Sequence, residues 1–137
     1  MANVLFIDDD VGLLETHFEY LEEVGGHRVI QAADAARALE LLERQASTID
    51  VIVLDIMMPP AGLCEPEEAN LGLTTGVVLL GRIRSKLPNV PVVVFTGWGA
   101  DVVMERMLAL GIPEDYYLEK PLGCRELLAV VNQALAG

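Results

Sequence analysis

Short apolar segments alternate along the chain with longer segments in which apolar residues recur at helical spacing. The short segments are rich in β-branched residues and end at charged residues, glycine or proline, which is typical of buried strands. The longer segments carry charges on one side, as amphipathic helices do. The pattern predicts strands over residues 4–7, 27–32, 51–54, 92–95 and 116–118. It predicts helices over residues 13–21, 34–45, 76–87, 101–110 and 125–135.

The regular alternation of the two kinds of segment predicts the fold class. Strand and helix follow one another five times, which indicates parallel strands joined by right-handed crossovers. Helices then cover both faces of a doubly wound, five-stranded α/β sheet. The composition of the 137 residues does not change abruptly, and no internal repeat is found. We therefore expect one domain over residues 1–137.

Local details follow from the same pattern. The first helix is expected to turn Leu13, Leu14, Phe18 and Leu21 toward the core and to end before a glycine pair. Asp34 stands where the N-cap of the second helix should be, because a carboxylate there accepts a hydrogen bond from a free backbone N–H.

The third predicted strand ends in an isolated carboxylate. Residues 51–54 are all apolar, and Asp55 is the first ionisable group after them. In open α/β sheets, ligands bind at the carboxyl ends of the strands, so Asp55 lies where a site is expected. A carboxylate half out of an apolar strand is costly to keep charged without a partner.

The other strands also end in polar residues. Asp8 and Asp9 follow the first strand, Thr96 ends the fourth, and Lys120 follows the fifth. Two carboxylates ~4 Å apart repel one another by about 4 kcal/mol at an effective dielectric of ~20. Mg²⁺ removes this repulsion and prefers oxygen ligands. Carboxylates, a metal, a lysine and a hydroxyl together indicate an aspartyl-phosphate site.

Composition excludes several classes of function. The net charge of −12 argues against nucleic acid or an anionic membrane as a direct partner. No apolar run approaches the ~18 residues of a membrane span, and the acidic N-terminus does not resemble a signal peptide. Cys64 and Cys124 are expected to be reduced thiols in a cytoplasmic protein. His17 and His27 lack the sequence context of a metal ligand or a phosphorylated histidine, so neither is assigned a role.

Taken in order, these strand-end residues resemble those of the receiver domains of two-component response regulators. The matching pieces are Asp8-Asp9, Asp55 with Met58-Pro59 after it, Thr96-Gly97 and Lys120-Pro121. The resemblance covers nearly the whole chain and is closest to the stand-alone, CheY-like type. It implies a flavodoxin-like sheet with strand order 2-1-3-4-5 and Mg²⁺ as the cofactor.

The resemblance also implies a role for each residue of the site. Asp55 would be the phosphoacceptor, and Asp9 would bind Mg²⁺ directly. Asp8 would bind the ion mostly through water, and the backbone carbonyl of Met57 would be a further ligand. Thr96 would bind one phosphoryl oxygen.

Further implications concern Lys120 and signalling. Lys120 would pair with another phosphoryl oxygen, and the peptide before Pro121 would be cis. Tyr117 matches the aromatic residue that packs inward when Thr96 moves toward the phosphoryl group. The surface of the fourth helix, fifth strand and fifth helix would then change. The implied partners are a sensor histidine kinase or a histidine phosphotransfer protein and a downstream protein target, with the chain a monomer or weak homodimer.

The loop after Asp55 departs from the family pattern. The family has Asp or Asn before a glycine a few residues after the proline, whereas here Gly76 lies 17 positions after Pro59. Thr75-Gly76 is expected to take that place. The acidic extension at about residues 60–75 is either a tolerated surface insertion or an element that covers the site or binds a partner.

Met57 and Trp98 are a second departure. They stand two positions after Asp55 and two after Thr96, where the family's side chains flank the phosphoryl group. Polar residues there accompany faster hydrolysis, so two bulky apolar groups should exclude water and prolong the life of the phosphoryl group.

The main prediction is a signalling module that accepts a phosphoryl group on Asp55, rather than a turnover enzyme. A hydrolase of the haloacid-dehalogenase type would need an Asp at the position of Met57. A flavodoxin-like carrier would need a Ser/Thr-rich phosphate loop where Asp8, Asp9 and Asp10 stand. Two alternatives within the family are open: a receiver module of a larger hybrid kinase or regulator, and a degenerate receiver that acts by binding alone.

Overall fold

A computed structural model describes residues 2–10, 12–58, 75–97 and 100–137 of the chain. Within these ranges five strands form one parallel sheet in the order β2-β1-β3-β4-β5. The strands are β1 (Asn3–Ile7), β2 (Arg28–Ala32), β3 (Val51–Leu54), β4 (Val92–Thr96) and β5 (Tyr117–Glu119). The helices are α1 (Glu15–Glu23), α2 (Ala35–Gln45), α3 (Thr75–Lys86), α4 (Ala100–Ala109) and α5 (Cys124–Ala136). The doubly wound sheet and its predicted strand order are confirmed.

The two faces of the sheet bury different sets of side chains, because successive residues of a strand point to opposite sides. On one face, strand residues such as Leu5 and Ile52 pack with α2, α3 and α4. On the other face, Phe6 and Val53 pack with α1 and α5. The three inner strands are buried on both sides, which explains their unbroken apolar sequences.

Element boundaries agree with the sequence prediction to within a few residues, and one expected core residue is wrong. Leu13 is 77% exposed, because α1 begins at Glu15 and Leu13 lies in the preceding turn, outside the inward-facing stripe. Leu14, Phe18 and Leu21 are buried as expected.

Helix ends show which capping predictions hold. The Asp34 side chain caps α2 by accepting a hydrogen bond of 2.7 Å from the Arg37 N–H. α1 has no side-chain cap, so the acidic residues after β1 do not serve as its N-cap.

Among the described helices, none combines the length and the apolar character needed to cross a membrane.

Candidate functional site

Four polar side chains from four different strand ends meet at the carboxyl edge of the sheet. Asp8 follows β1, Asp55 follows β3, Thr96 ends β4 and Lys120 follows β5. Asp8 and Thr96 are fully buried, and Asp55 is only 6% exposed. Charged side chains are seldom buried this deeply without partners, so the group requires a chemical explanation.

Three carboxylates converge at this edge. Ligand oxygens of Asp8, Asp9 and Asp55 all lie within 4.8 Å of one another, although Asp9 is exposed to solvent. An all-oxygen set with one side open to water has the chemistry that Mg²⁺ prefers. The acidic group therefore fits the cation that the sequence predicts.

Lys120 supplies the positive charge opposite the carboxylates. Its Nζ lies 2.6 Å from Asp8 Oδ2 and 3.7 Å from Asp55 Oδ2. The same atom lies 5.4 Å from the centroid of the Phe95 ring. The Lys120 N–H donates a hydrogen bond of 2.9 Å to the Thr96 carbonyl, which joins the ends of β4 and β5. The peptide between Lys120 and Pro121 is cis.

The Asp55 carboxyl is held by its neighbours and is difficult to ionise. Its Oδ1 accepts a hydrogen bond of 2.8 Å from the Ile56 N–H, and the Thr96 side chain also hydrogen-bonds it. Burial, followed by repulsion from Asp8, raises the pKa of Asp55 from 3.8 to about 6, against the opposing effects of Lys120 and Thr96. Burial and the Asp8 charge also raise the pKa of Asp9. A cation at the site would oppose these shifts.

The start of α3 packs directly behind Asp55. The Thr75 hydroxyl donates a hydrogen bond to the Met58 carbonyl, and the Gly76 N–H donates one of 2.7 Å to the Ile56 carbonyl. A Cβ on Gly76 would lie 2.5 Å from the Ile56 Cα and would also clash with the Asp55 carbonyl oxygen. The glycine therefore allows the helix to approach the segment that carries Asp55. The extension expected at about residues 60–75 lies, up to residue 74, outside the described residues.

The remaining predicted site residues lie at the periphery or outside the described part. The Met57 side chain is 45% exposed beside Asp55. Tyr117 is partly buried against the core face formed with α2, α3 and α4, and burial raises its pKa, with further contributions from Glu119 and Asp101. Trp98 lies outside the described residues, so its expected position beside the phosphoryl group stays a prediction.

His17 is a residue that the sequence left without a role. Its Nε2 lies 2.8 Å from the Leu122 carbonyl oxygen, in the turn that follows Lys120. The two residues are separated by 105 positions, so local sequence carries no signal of the contact. His27, the other histidine, bonds Asn132 Oδ1 at 2.8 Å and lies before β2, at the opposite end of the sheet.

Comparison with known proteins identifies the family to which the chain belongs. The family described as response regulator receiver domain matches residues 4–132. The transcriptional regulatory protein CpxR of Escherichia coli K12 is 33% identical over 135 residues, which are 98% of this chain and 50% of CpxR. The CpxR homologue of Haemophilus influenzae is 32% identical over the same share of this chain and 51% of its own. The chain thus spans about half the length of these curated relatives.

Solved structures show the same architecture. A CheY-like receiver domain from Methanospirillum hungatei superposes with a TM-score of 0.80, at 24% identity, over 99% of this chain and 94% of that one. A response regulator receiver domain from Clostridium thermocellum gives 0.78 at 26% identity, over 99% of this chain and 95% of that one. The first of these likenesses concerns the fold alone. With the family match over residues 4–132, they lead to one conclusion: this chain belongs to the receiver domain family of two-component response regulators.

Proposed function

We propose that this receiver accepts a phosphoryl group on Asp55 from the phosphohistidine of a sensor histidine kinase or a histidine phosphotransfer protein, in a Mg²⁺-dependent reaction. The observation that supports the proposal is the convergence of three carboxylates within 4.8 Å, with the Lys120 ammonium 3.7 Å from Asp55. Nothing in the packing of the sheet requires these four charges, two of them buried carboxylates, at one edge. Transfer of a phosphoryl group would use all of these charges, the carboxylates as nucleophile and metal ligands and Lys120 as a partner of a phosphoryl oxygen.

Asp8, Asp9, Asp55 and the backbone carbonyl of Met57 are the groups that would hold the cation. When bound, Mg²⁺ neutralises the carboxylates and polarises the phosphoryl oxygens. Asp9 is the exposed member of the acidic set and suits direct ligation, whereas buried Asp8 is already engaged by Lys120.

The chain's own residues perform the transfer by positioning and charge. A carboxylate oxygen of Asp55 forms the new bond to phosphorus as the phosphorus–nitrogen bond of the donor breaks. The electron pair of that bond leaves with the imidazole, which keeps the proton on its second nitrogen and ends as a neutral ring. Lys120 and the Thr96 hydroxyl bind two of the phosphoryl oxygens, where negative charge is held in the transition state.

Phosphorylation is proposed to change a distant surface through Thr96 and Tyr117. A phosphoryl group on Asp55 competes for the Thr96 hydroxyl, which now bonds Asp55. Movement of Thr96 leaves space on β4 that Tyr117, on the neighbouring strand, fills by packing inward. The surface of α4, β5 and α5 then differs between the two states, which is a population shift driven by new charge-assisted hydrogen bonds.

The partners proposed for this surface are proteins. A charge of −12 repels phosphate backbones and anionic lipids, so neither nucleic acid nor membrane is proposed as a direct partner. We propose that residues 1–137 form one receiver unit, monomeric or weakly dimeric, that works in the cytoplasm. It acts as a signalling module whose chemistry is its own phosphorylation and slow dephosphorylation.

Phosphoryl incorporation from phosphoramidate, a small donor with a phosphorus–nitrogen bond, tests the proposal directly. Intact-mass measurement of the wild type with Mg²⁺ should show one added phosphoryl group that hydroxylamine removes, because acyl phosphates react with it. Asp55→Asn should gain none, and EDTA should prevent the gain in the wild type. Asp50→Asn is the matched control, because Asp50 lies at the other end of β3 and should leave incorporation intact. No incorporation into the wild type would instead indicate a degenerate receiver that acts by binding alone.

A further inference from the structure

We propose that His17 is a positioning residue for Lys120, acting through the turn between β5 and α5. The proposal rests on the proposed phosphoacceptor function and adds a residue of α1 to it. Residues 120–123 link the end of β5 to the start of α5, and Lys120 is the first of them. The orientation of its ammonium group therefore depends on how this short segment is held.

The segment is held by packing of Leu122 on the core between the sheet, α1 and α5, and by hydrogen bonds at two points. The Lys120 N–H bonds the Thr96 carbonyl at 2.9 Å, which fixes the start of the turn to β4. Past Lys120, the hydrogen bond from His17 to the Leu122 carbonyl joins the turn to α1. The partner atom is a carbonyl oxygen, so Nε2 of His17 must carry the proton and donate.

A histidine at position 17 is a costly choice if its side chain only fills space in the core. With the proton on Nε2, Nδ1 of a neutral ring is an acceptor, and it is buried without a hydrogen-bond partner among the described residues. A buried polar atom in this state costs stability that a leucine at the same position would not. The donor at Nε2 is what histidine supplies here and an aliphatic residue cannot.

A second contact connects the same residues. The Phe95 ring lies near both His17 and Lys120: the His17 ring centroid is 5.8 Å and the Lys120 Nζ 5.4 Å from the Phe95 centroid. His17, Phe95, Lys120 and Leu122 also line one cavity of about 180 Å³. Free volume therefore lies beside Lys120, and without the hydrogen bond from His17 the turn has space into which it can relax.

Three substitutions at one position separate the donor from the size of the side chain. His17→Gln places an amide N–H near the position of Nε2, whereas His17→Asn places it near Nδ1, too short to reach Leu122. His17→Met keeps length and apolar contact without a donor. The matched control is His27→Met, because His27 makes a bond of the same length over the same sequence separation, away from Lys120.

The readouts are the maximal rate of phosphorylation by phosphoramidate and the Mg²⁺ dissociation constant by calorimetry. His17→Met and His17→Asn should lower the maximal rate about 10-fold, because small misplacement of a catalytic group has large kinetic effects. His17→Gln should stay within about threefold of the wild type. All variants should bind Mg²⁺ as the wild type does, since Lys120 is not among the proposed ligands. His27→Met should phosphorylate at the normal rate even where its unfolding temperature falls.

Equal maximal rates for His17→Asn, His17→Gln and the wild type would overturn the proposal, and so would a slow His27→Met. Should His17→Met fail to fold, the comparison of Asn with Gln decides alone, because both are polar and differ in reach. A failure of the proposed function itself is distinguishable, since the wild type would then take up no phosphoryl group at all.

Discussion

Two partly buried cationic side chains, Lys120 and Arg84, lie at opposite ends of the sheet and contact different kinds of group. At the carboxyl end, Lys120 faces carboxylate oxygens of Asp8 at 2.6 Å and Asp55 at 3.7 Å. At the amino end, Arg84 near the end of α3 donates from Nη1 to the carbonyls of Leu87 at 3.1 Å and Val90 at 2.5 Å. Burial lowers the pKa of Arg84, and none of the described carboxylates forms an ion pair with it.

The two cationic side chains differ in the kind of group that they contact. Arg84 bonds backbone carbonyls of the turn that leads into β4, which is a structural use of a long polar side chain. Lys120 instead pairs with the carboxylates of Asp8 and Asp55, and its side chain remains 23% exposed. With the proposed function, we expect Arg84 to serve stability and Lys120 to serve reactivity.

Substitution of Lys120 should lower the rate of phosphorylation, whereas substitution of Arg84 should lower the stability of the fold. Lys120→Met should slow phosphorylation of Asp55 by about 100-fold or more, the effect typical of losing a group that stabilises transition-state charge. Arg84→Met should phosphorylate normally but lose about 2 kcal/mol of unfolding free energy, because two hydrogen bonds from a charged group are removed. Phosphoramidate kinetics and urea unfolding measure the two quantities. A normal rate for Lys120→Met would remove the contrast between the two ends.

The two aspartates that flank β3 should differ in how they affect stability. The folded-state pKa of Asp55 is raised from 3.8 to about 6, so the folded protein keeps this proton at pH values where the unfolded chain has released it. Stability therefore falls as pH rises from about 4 to about 6, and above that range the full cost of a buried charge is present. In EDTA, Asp55→Asn should be more stable than the wild type by about 3 kcal/mol at pH 8 and nearly equal to it at pH 4.

Asp50 is the control for this pH dependence. It is exposed and accepts a hydrogen bond of 2.7 Å from the Asn3 N–H, which an asparagine can also accept. Asp50→Asn should change stability by less than about 0.5 kcal/mol at either pH. Chemical denaturation of both variants at pH 4 and pH 8 makes the comparison. An Asp55→Asn gain that is the same at both pH values would contradict the raised pKa.

Two glycines of α3 differ in how closely other parts of the protein approach them. Gly76 faces the Asp55 segment so closely that a Cβ would lie 2.5 Å from the Ile56 Cα, whereas a Cβ on Gly81 would meet only the Arg106 Nη2, at 3.4 Å. Gly76→Ala should cost about 2 kcal/mol, because backbone atoms cannot move aside as a flexible side chain can. Gly81→Ala should gain up to about 1 kcal/mol from helix propensity. Thermal unfolding distinguishes them, and equal effects would show that α3 does not press on the site.

Most of the fold was predictable from the sequence because it depends on local periodicity. Parallel strands then bring their carboxyl ends to one edge, so the meeting of Asp8, Asp55, Thr96 and Lys120 followed from four strand boundaries. Contacts that depend on side-chain reach across the fold were not predictable. The sequence gives no sign that His17 reaches Leu122, 105 positions away. The exposure of Leu13 was missed for a smaller reason, the start of α1 two residues later than the apolar pattern suggests.

The neighbouring methionines Met57 and Met58 differ in their exposure. Met57 is 45% exposed next to Asp55, whereas Met58 is 2% exposed in the core. If the apolar Met57 side chain limits the access of water to phospho-Asp55, Met57→Asn should shorten the lifetime of the phosphoryl group about threefold, a barrier change of under 1 kcal/mol. Met58→Leu should leave that lifetime unchanged, since it exchanges one core side chain for another of similar volume. Loss of the added phosphoryl mass over time, after removal of the donor, measures both. A lifetime unaffected by Met57→Asn would mean that Met57 does not shield the site, and Trp98→Glu would then test the second flanking position.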